Sequence, residues 1–114
     1  MSHEKFQDCI NACVACAIEC DHCSVACLQE EDVKMMSRCI QLDVDCSKIC
    51  YLAVSYMSGG SEFAHQICQL CAEVCDACAQ ECEKHASMHD HCKICAEACR
   101  KCAEECRSMV SMSM

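Results

Sequence analysis

Apolar and polar positions alternate along this chain with helical period. From Cys9 to Cys27 the apolar seam falls at positions 9, 13, 16, 20, 23 and 27, in steps of 4, 3, 4, 3 and 4. That is the spacing of one face of an amphipathic helix turned toward a partner. The same rhythm returns at 68, 71, 75, 78 and 82, and again at 92, 95, 99, 102 and 106, with a thinner version at 39, 46 and 50. The pattern predicts helices over about residues 2–28, 32–57, 61–85 and 88–109. Between them lie the polar break Gln29–Asp32, the turn Ser58-Gly59-Gly60-Ser61, and the connection Ala86–Asp90. Ser87, with Asp90 three residues on, fits a capping box for the fourth helix. The tail from Val110 onward is expected to fray.

Four rods of about 33–40 Å joined by short links make antiparallel neighbours. The fold expected is an all-α, up-down-up-down four-helix bundle occupying residues 1–114 as one domain. Its two ends differ. The Gly59-Gly60 end gathers Phe6, Val54, Met57, Phe63, Ala64, Ile67, Met109 and Val110, an apolar plug. The other gathers Cys27, Met35, Met36, Cys39, Cys82, His85, Met88, His89, His91 and Cys92, a mouth of soft and borderline ligands.

Composition changes the meaning of the seam. Nineteen of 114 residues are cysteine, with no proline, no tryptophan and two glycines. The seam is therefore a column of thiols: Cys9, Cys13, Cys16, Cys20, Cys23, Cys27, Cys39, Cys46, Cys50, Cys68, Cys71, Cys75, Cys78, Cys82, Cys92, Cys95, Cys99, Cys102 and Cys106. A disulfide scaffold fits poorly, because the count is odd and helical neighbours hold their Cβ atoms about 5–6 Å apart, whereas a disulfide needs about 3.5–4.5 Å. Two metal–thiolate bonds of about 2.3 Å each do span that gap. The net charge of −9 argues against nucleic acid and anionic membranes as partners. No unbroken run of eighteen apolar residues suggests a membrane span, and Met-Ser-His-Glu-Lys-Phe does not read as a secretory leader. Both point to the cytoplasm, where thiols stay reduced.

Soft thiolates select Cu(I), with zinc and iron–sulfur clusters as competitors. Charge argues for Cu(I) at high capacity. One Cu(I) per thiolate leaves a neutral core, whereas zinc in closed sets of four would leave about two negative charges per buried site. On the order of one Cu(I) per cysteine is expected, and a continuous column does not divide naturally into closed sets of four. Further ligand candidates are Asp43, His85, His89, His91, Met36 and Met88. Asp43 admits two readings, a helix-edge carboxylate with Leu42 packing inward, or a polar member of the column where a cysteine would otherwise stand. Met36 and Met88 read equally as core filler or as thioether ligands. Three histidines in seven residues beside Cys82 and Cys92 favour at least one copper contact, while His3, His22 and His65 read as surface. Of the outer apolar residues, Ile10, Ile18, Leu52 and Leu70 are candidates for an interface between copies.

The ladder of Cys-x-x-x-Cys and Cys-x-x-Cys steps on four helices resembles the bacterial copper storage proteins of the cytosolic branch. Cys39-Ile-Gln-Leu-Asp-Val-Asp-Cys-Ser-Lys-Ile-Cys50 is similar to that family's second helix, and His89-Asp-His-Cys-Lys-Ile-Cys95 to the start of its fourth. The resemblance implies a bundle filled with Cu(I) and a homotetramer. Met35-Met36 departs from relatives that carry histidine at the mouth. Competing functions are a zinc or cadmium buffer and an iron–sulfur electron-transfer protein, though the ferredoxin cysteine run is absent. No nucleophile–base set or phosphate loop is present, so the chain does not read as an enzyme.

Overall fold

The computed structural model describes residues 4–112. Helix α1 is Gln7–Leu28, entered through a 3-10 turn at Glu4–Phe6. A second 3-10 turn, Val33–Met36, leads into α2, Ser37–Ser58. Helices α3, Ala64–His85, and α4, Asp90–Met112, follow. In space α1 packs on α2, α2 on α3, α3 on α4 and α4 back on α1, closing a four-membered ring 48 Å long and 19 × 17 Å in section. This is the expected up-down-up-down bundle.

The boundaries depart from expectation at every helix start: α1 begins at Gln7 after a 3-10 turn and α3 at Ala64, each later than its seam predicts. Helix α2 starts five residues late, because Val33–Met36 winds as a 3-10 turn whose Met35 N–H donates to Asp32 O at 2.9 Å. Helix α4 begins at Asp90, so Ser87 does not stand at its N-cap and the capping box does not form. The turn is closed by backbone instead, with the N–H groups of Met88 and His89 both donating to His85 O. Helix α4 also runs on to Met112 where fraying was expected; Ser113, Met114 and His3 lie outside the described residues.

Gly60 ends α2 in a Schellman motif. Its φ is 65°, its N–H donates to Met57 O, and the Ser61 N–H donates to Tyr56 O. The plug forms at this end from Phe6, Met57, Ala64 and Met109, all buried, with Val54, Ile67 and Val110 packed beside them. Phe63 is not part of it. It stands at the N-cap of α3, 54% exposed, with its N–H donating to Ser61 Oγ. His65, expected on the surface, is half-buried with its ring 5.8 Å from that of Phe6.

All nineteen cysteines are buried and free. Alanines flank the column: Ala17, Ala72, Ala79, Ala96 and Ala103 are buried between the helices. Such small residues let neighbouring backbones approach, so short cysteine side chains on facing helices can meet. Glu4–Leu28 is long enough, and at a mean hydropathy of 1.3 apolar enough, to cross a membrane by length and composition. The reading from unbroken apolar runs missed this because the apolarity is spread along a stripe. In the fold that stripe is the six-cysteine face of α1, closed inside the bundle.

Candidate metal centre

Five levels stack along the axis; each helix contributes one residue to each of the upper four, and α2 contributes no cysteine to the level nearest the plug. Nearest the plug, Cys9 lies 3.6 Å from Cys106, with Cys68 beside both. Next come Cys13, Cys50, Cys71 and Cys102, where Cys13 and Cys102 are 3.5 Å apart and Cys50 is 3.7 Å from Cys71. The third level is Cys16, Cys46, Cys75 and Cys99, with Cys46 to Cys75 at 3.5 Å. The fourth is Cys20, Asp43, Cys78 and Cys95. The fifth is Cys23, Cys39, Cys82 and Cys92, with Cys39 to Cys82 at 3.5 Å. Cys27 tops the column beside Cys23 at 3.8 Å.

Pairs along one helix are just as close: Cys16–Cys20 and Cys71–Cys75 both stand at 3.9 Å. Sulfurs are thus evenly spaced along and across the tube, and a bent pair of metal–sulfur bonds of about 2.3 Å each spans such a gap. Sets of four thiols lie with all sulfurs within 4.8 Å of one another, among them Cys13/Cys71/Cys102/Cys106, Cys16/Cys46/Cys50/Cys75, Cys16/Cys20/Cys46/Cys99 and Cys20/Cys78/Cys95/Cys99. The column therefore offers groups of four thiols, and it does so without dividing cleanly into closed sets. Some groups share members: Cys16, Cys20, Cys46 and Cys99 each belong to two. Four sets, Cys13/Cys71/Cys102/Cys106, Cys16/Cys46/Cys50/Cys75, Cys20/Cys78/Cys95/Cys99 and Cys23/Cys27/Cys39/Cys92, share no member, while Cys16/Cys20/Cys46/Cys99 overlaps two of them and lets ions be shared from level to level.

Asp43 occupies the place of a cysteine. It is fully buried, and Leu42 packs against the side of the core rather than replacing it. Its Oδ1 accepts hydrogen bonds from Cys78 at 3.1 Å, Cys95 at 3.3 Å and Cys82 at 3.6 Å, while Oδ2 accepts from Cys39 at 3.8 Å. Burial, then the neighbouring thiols, pushes its carboxyl up to about 11. In the metal-free protein it is neutral at pH 7. Burial likewise pushes Cys27 up to about 12.

At the mouth the three candidate histidines separate. His91 alone reaches the thiols. Its Nδ1 lies 3.5 Å from Cys23 Sγ, 3.6 Å from Cys92 Sγ and 3.9 Å from Cys27 Sγ. Its Nε2 lies 2.8 Å from Glu30 Oε2. His89 stacks on His91 with ring centroids 5.3 Å apart, and its own nitrogens face Glu30 at 3.2 Å and Asp32 at 3.4 Å. His85 is held by Glu81 at 3.1 Å, a buried carboxylate that also meets Arg38 and Lys84. Met36 is fully buried, but Met35 and Met88 are each 68% exposed. Met88 sits on the α3–α4 turn, out of line with the column, because α4 starts two residues later than its seam suggested. His22 lies exposed as expected.

Glu30, Asp32 and Glu81 carry the mouth's electrostatics and were not singled out from sequence. The only signal for them was a run of acidic residues in a link, Glu30-Glu31-Asp32, and a glutamate one turn before His85. Neither has a period that separates it from a solvated surface.

The family described as Copper storage protein (Csp) matches residues 2–111. The Cu(I)-bound copper storage protein BsCsp3 is 50% identical, with a TM-score of 0.87, covering 92% of this chain and 97% of that one. A cytosolic copper storage protein from Streptomyces lividans, solved with five coppers, is 38% identical with a TM-score of 0.92, covering 96% and 95%. The cysteine-rich protein YhjQ of Bacillus subtilis (strain 168), itself uncharacterized, is 50% identical over 83 residues, 73% of this chain and 75% of that one. The resemblance read from the cysteine ladder is thus met by a family match running almost end to end, and the chain belongs to the copper storage protein family.

Proposed function

We propose that this protein stores Cu(I) in the cytoplasm, holding many ions on the thiols of its core. The observation that carries this is an unbroken column of nineteen buried, free thiols in a chain of the copper storage protein family. A carrier of one ion needs one set, and zinc in separate sets of four thiolates would leave about two negative charges at each buried site. Cu(I) ions bridged from level to level, near one per thiol, leave none. Each ion displaces one thiol proton, RSH + Cu⁺ → RS–Cu + H⁺, so the filled core stays neutral.

Cu(I) enters and leaves at the histidine end, since the opposite end is sealed by Phe6, Met57 and Met109. His91 is the ligand that joins the outside to Cys23, Cys27 and Cys92. Asp43 serves as an oxygen donor within the thiol column, Met36 lines the mouth, and His85 and His89 hold the carboxylates around it. Ile18, Leu52 and Leu70, exposed on the outer faces, are available for a homotetramer of the kind the family resemblance implies; Ile10 is half-buried and contributes less.

The test is an anaerobic Cu(I) titration of the reduced protein against a coloured chelator. Tight uptake continuing to near one ion per cysteine is the expected result. Saturation after a few ions would instead indicate discrete sites, and a brown chromophore in the purified protein would indicate iron–sulfur clusters.

A further inference from the structure

His91 and His89 come from the α3–α4 turn and its first helical residues, whereas Glu30 comes from the α1–α2 link. The Glu30–His91 bond at 2.8 Å therefore ties the two links together across the mouth. An ionised carboxylate only accepts hydrogen bonds. The His91 nitrogen facing it, Nε2, must then carry the ring's proton. In a neutral imidazole the other nitrogen is a bare lone pair. That nitrogen is Nδ1, and it faces three sulfurs at 3.5–3.9 Å.

His89 differs. It has a carboxylate on each nitrogen, Glu30 on Nδ1 and Asp32 on Nε2, and so presents no free nitrogen to the column. Its flat stacking on His91, at 22° between planes, and its grip on the shared Glu30 Oε2 keep that oxygen in place.

We propose that Glu30 is a positioning residue for copper transfer: by accepting the Nε2–H of His91 it fixes the ring with its Nδ1 lone pair on Cys23, Cys27 and Cys92, making Nδ1 the atom that takes Cu(I) from an incoming chelate. A thiol of this trio then loses its proton to solvent as its sulfur bonds the metal, and Nδ1 is freed for the next ion. The carboxylate–histidine–metal pairing both selects the nitrogen and makes it a stronger donor. The inference rests on the reading that Cu(I) enters at this end.

The experiment uses the whole metal-free protein with ¹⁵N-labelled histidine, and Cu(I) delivered from a coloured chelate. In the wild type, NMR should show His91 with its proton on Nε2, slow to exchange, and Nδ1 bare. Glu30→Gln keeps an oxygen that can accept the bond, and it should retain the protected Nε2–H and load close to the wild-type rate. Glu30→Ala should lose that protection and load at least about tenfold more slowly, with helix content by circular dichroism unchanged. A wild-type His91 proton on Nδ1 would overturn the proposal. So would wild-type loading by Glu30→Ala when His91→Ala is slow, and that result would leave entry at the mouth standing. If His91→Ala itself loads at the wild-type rate, entry at this end fails and the proposal falls with it.

Discussion

The Asp43 carboxyl accepts a hydrogen bond from the Cys78 thiol at 3.1 Å, in the middle of an interior otherwise built of sulfur. Donors from α2, α3 and α4 converge on this one acid, and α1 closes the same level through Cys20. A buried acid in this setting is stable only while it keeps its proton.

That requirement gives stability a pH dependence. The Asp43 carboxyl rises from an ordinary 3.8 to about 11 on folding, so between those values the native state holds a proton that the unfolded chain has released. The stabilising form is fully present below the unfolded value and is lost as pH climbs, at up to about 1.4 kcal/mol per pH unit. Metal-free protein should therefore show a urea midpoint that falls from pH 5 to pH 8, and Asp43→Asn should raise the midpoint at pH 8 and flatten the slope. Parallel curves for the two proteins would refute this account.

Capacity should follow the number of thiols. Replacing Cys71, Cys75 and Cys78 by serine removes three of nineteen, and Cu(I) uptake in the chelator titration should drop in rough proportion. Full capacity in this variant would mean the column is not what holds the metal.

The histidines should govern rate rather than amount. Replacing His85, His89 and His91 together should slow loading and leave capacity nearly intact. Singly, His91→Ala should have the larger effect and His85→Ala the smaller, since His85 faces Glu81 rather than sulfur. Stopped-flow transfer from a Cu(I) chelate checks both. A collapse of capacity would instead make the histidines ligands of the stored metal.

Loading should acidify the solution. Cys27, pushed up to about 12 by desolvation, is protonated at pH 7, and a neutral core of hydrogen-bonded thiols should release close to one proton per Cu(I) bound. A pH-stat titration measures the ratio directly, and a value far below one would mean that thiolates already exist in the empty core.

The two glycines of the α2–α3 turn should respond oppositely to alanine. Gly60 at φ 65° needs the left-handed region, and Gly60→Ala should cost about 1 kcal/mol. Gly59 has a helical φ of −82°, and an added Cβ would lie 3.6 Å from Ser55 O, an ordinary contact. Gly59→Ala should be neutral or stabilising by up to about 1 kcal/mol. Thermal melts of the metal-free variants decide it.

Much of the fold was legible because period and chemistry coincide: steps of three and four place every cysteine on one face of its helix, and a face of small apolar groups must be buried. The same register offered Asp43 a place in the column but left a helix-edge position open; the packing, which buries it fully, decided between them. Phe63 and Met88 were misplaced because each stands in a turn, where the helical period no longer dictates direction. The 3-10 start before α2 and the late start of α4 arise in links as well, from backbone bonds to Asp32 and His85 that no seam pattern encodes.

The sequence by itself determined four helices, a thiol-lined interior, an apolar end and a histidine-bearing end, since each follows from spacing along one segment. Only the tertiary structure decided which sulfurs share a level, that Asp43 gathers thiols from three helices, and that His91, not His85 or His89, faces the column. Those choices depend on the rotation of each helix about its axis and on two links meeting at one end. Glu30 and His91 are 61 residues apart in the chain yet 2.8 Å apart in space, a contact created by packing and invisible to any local pattern.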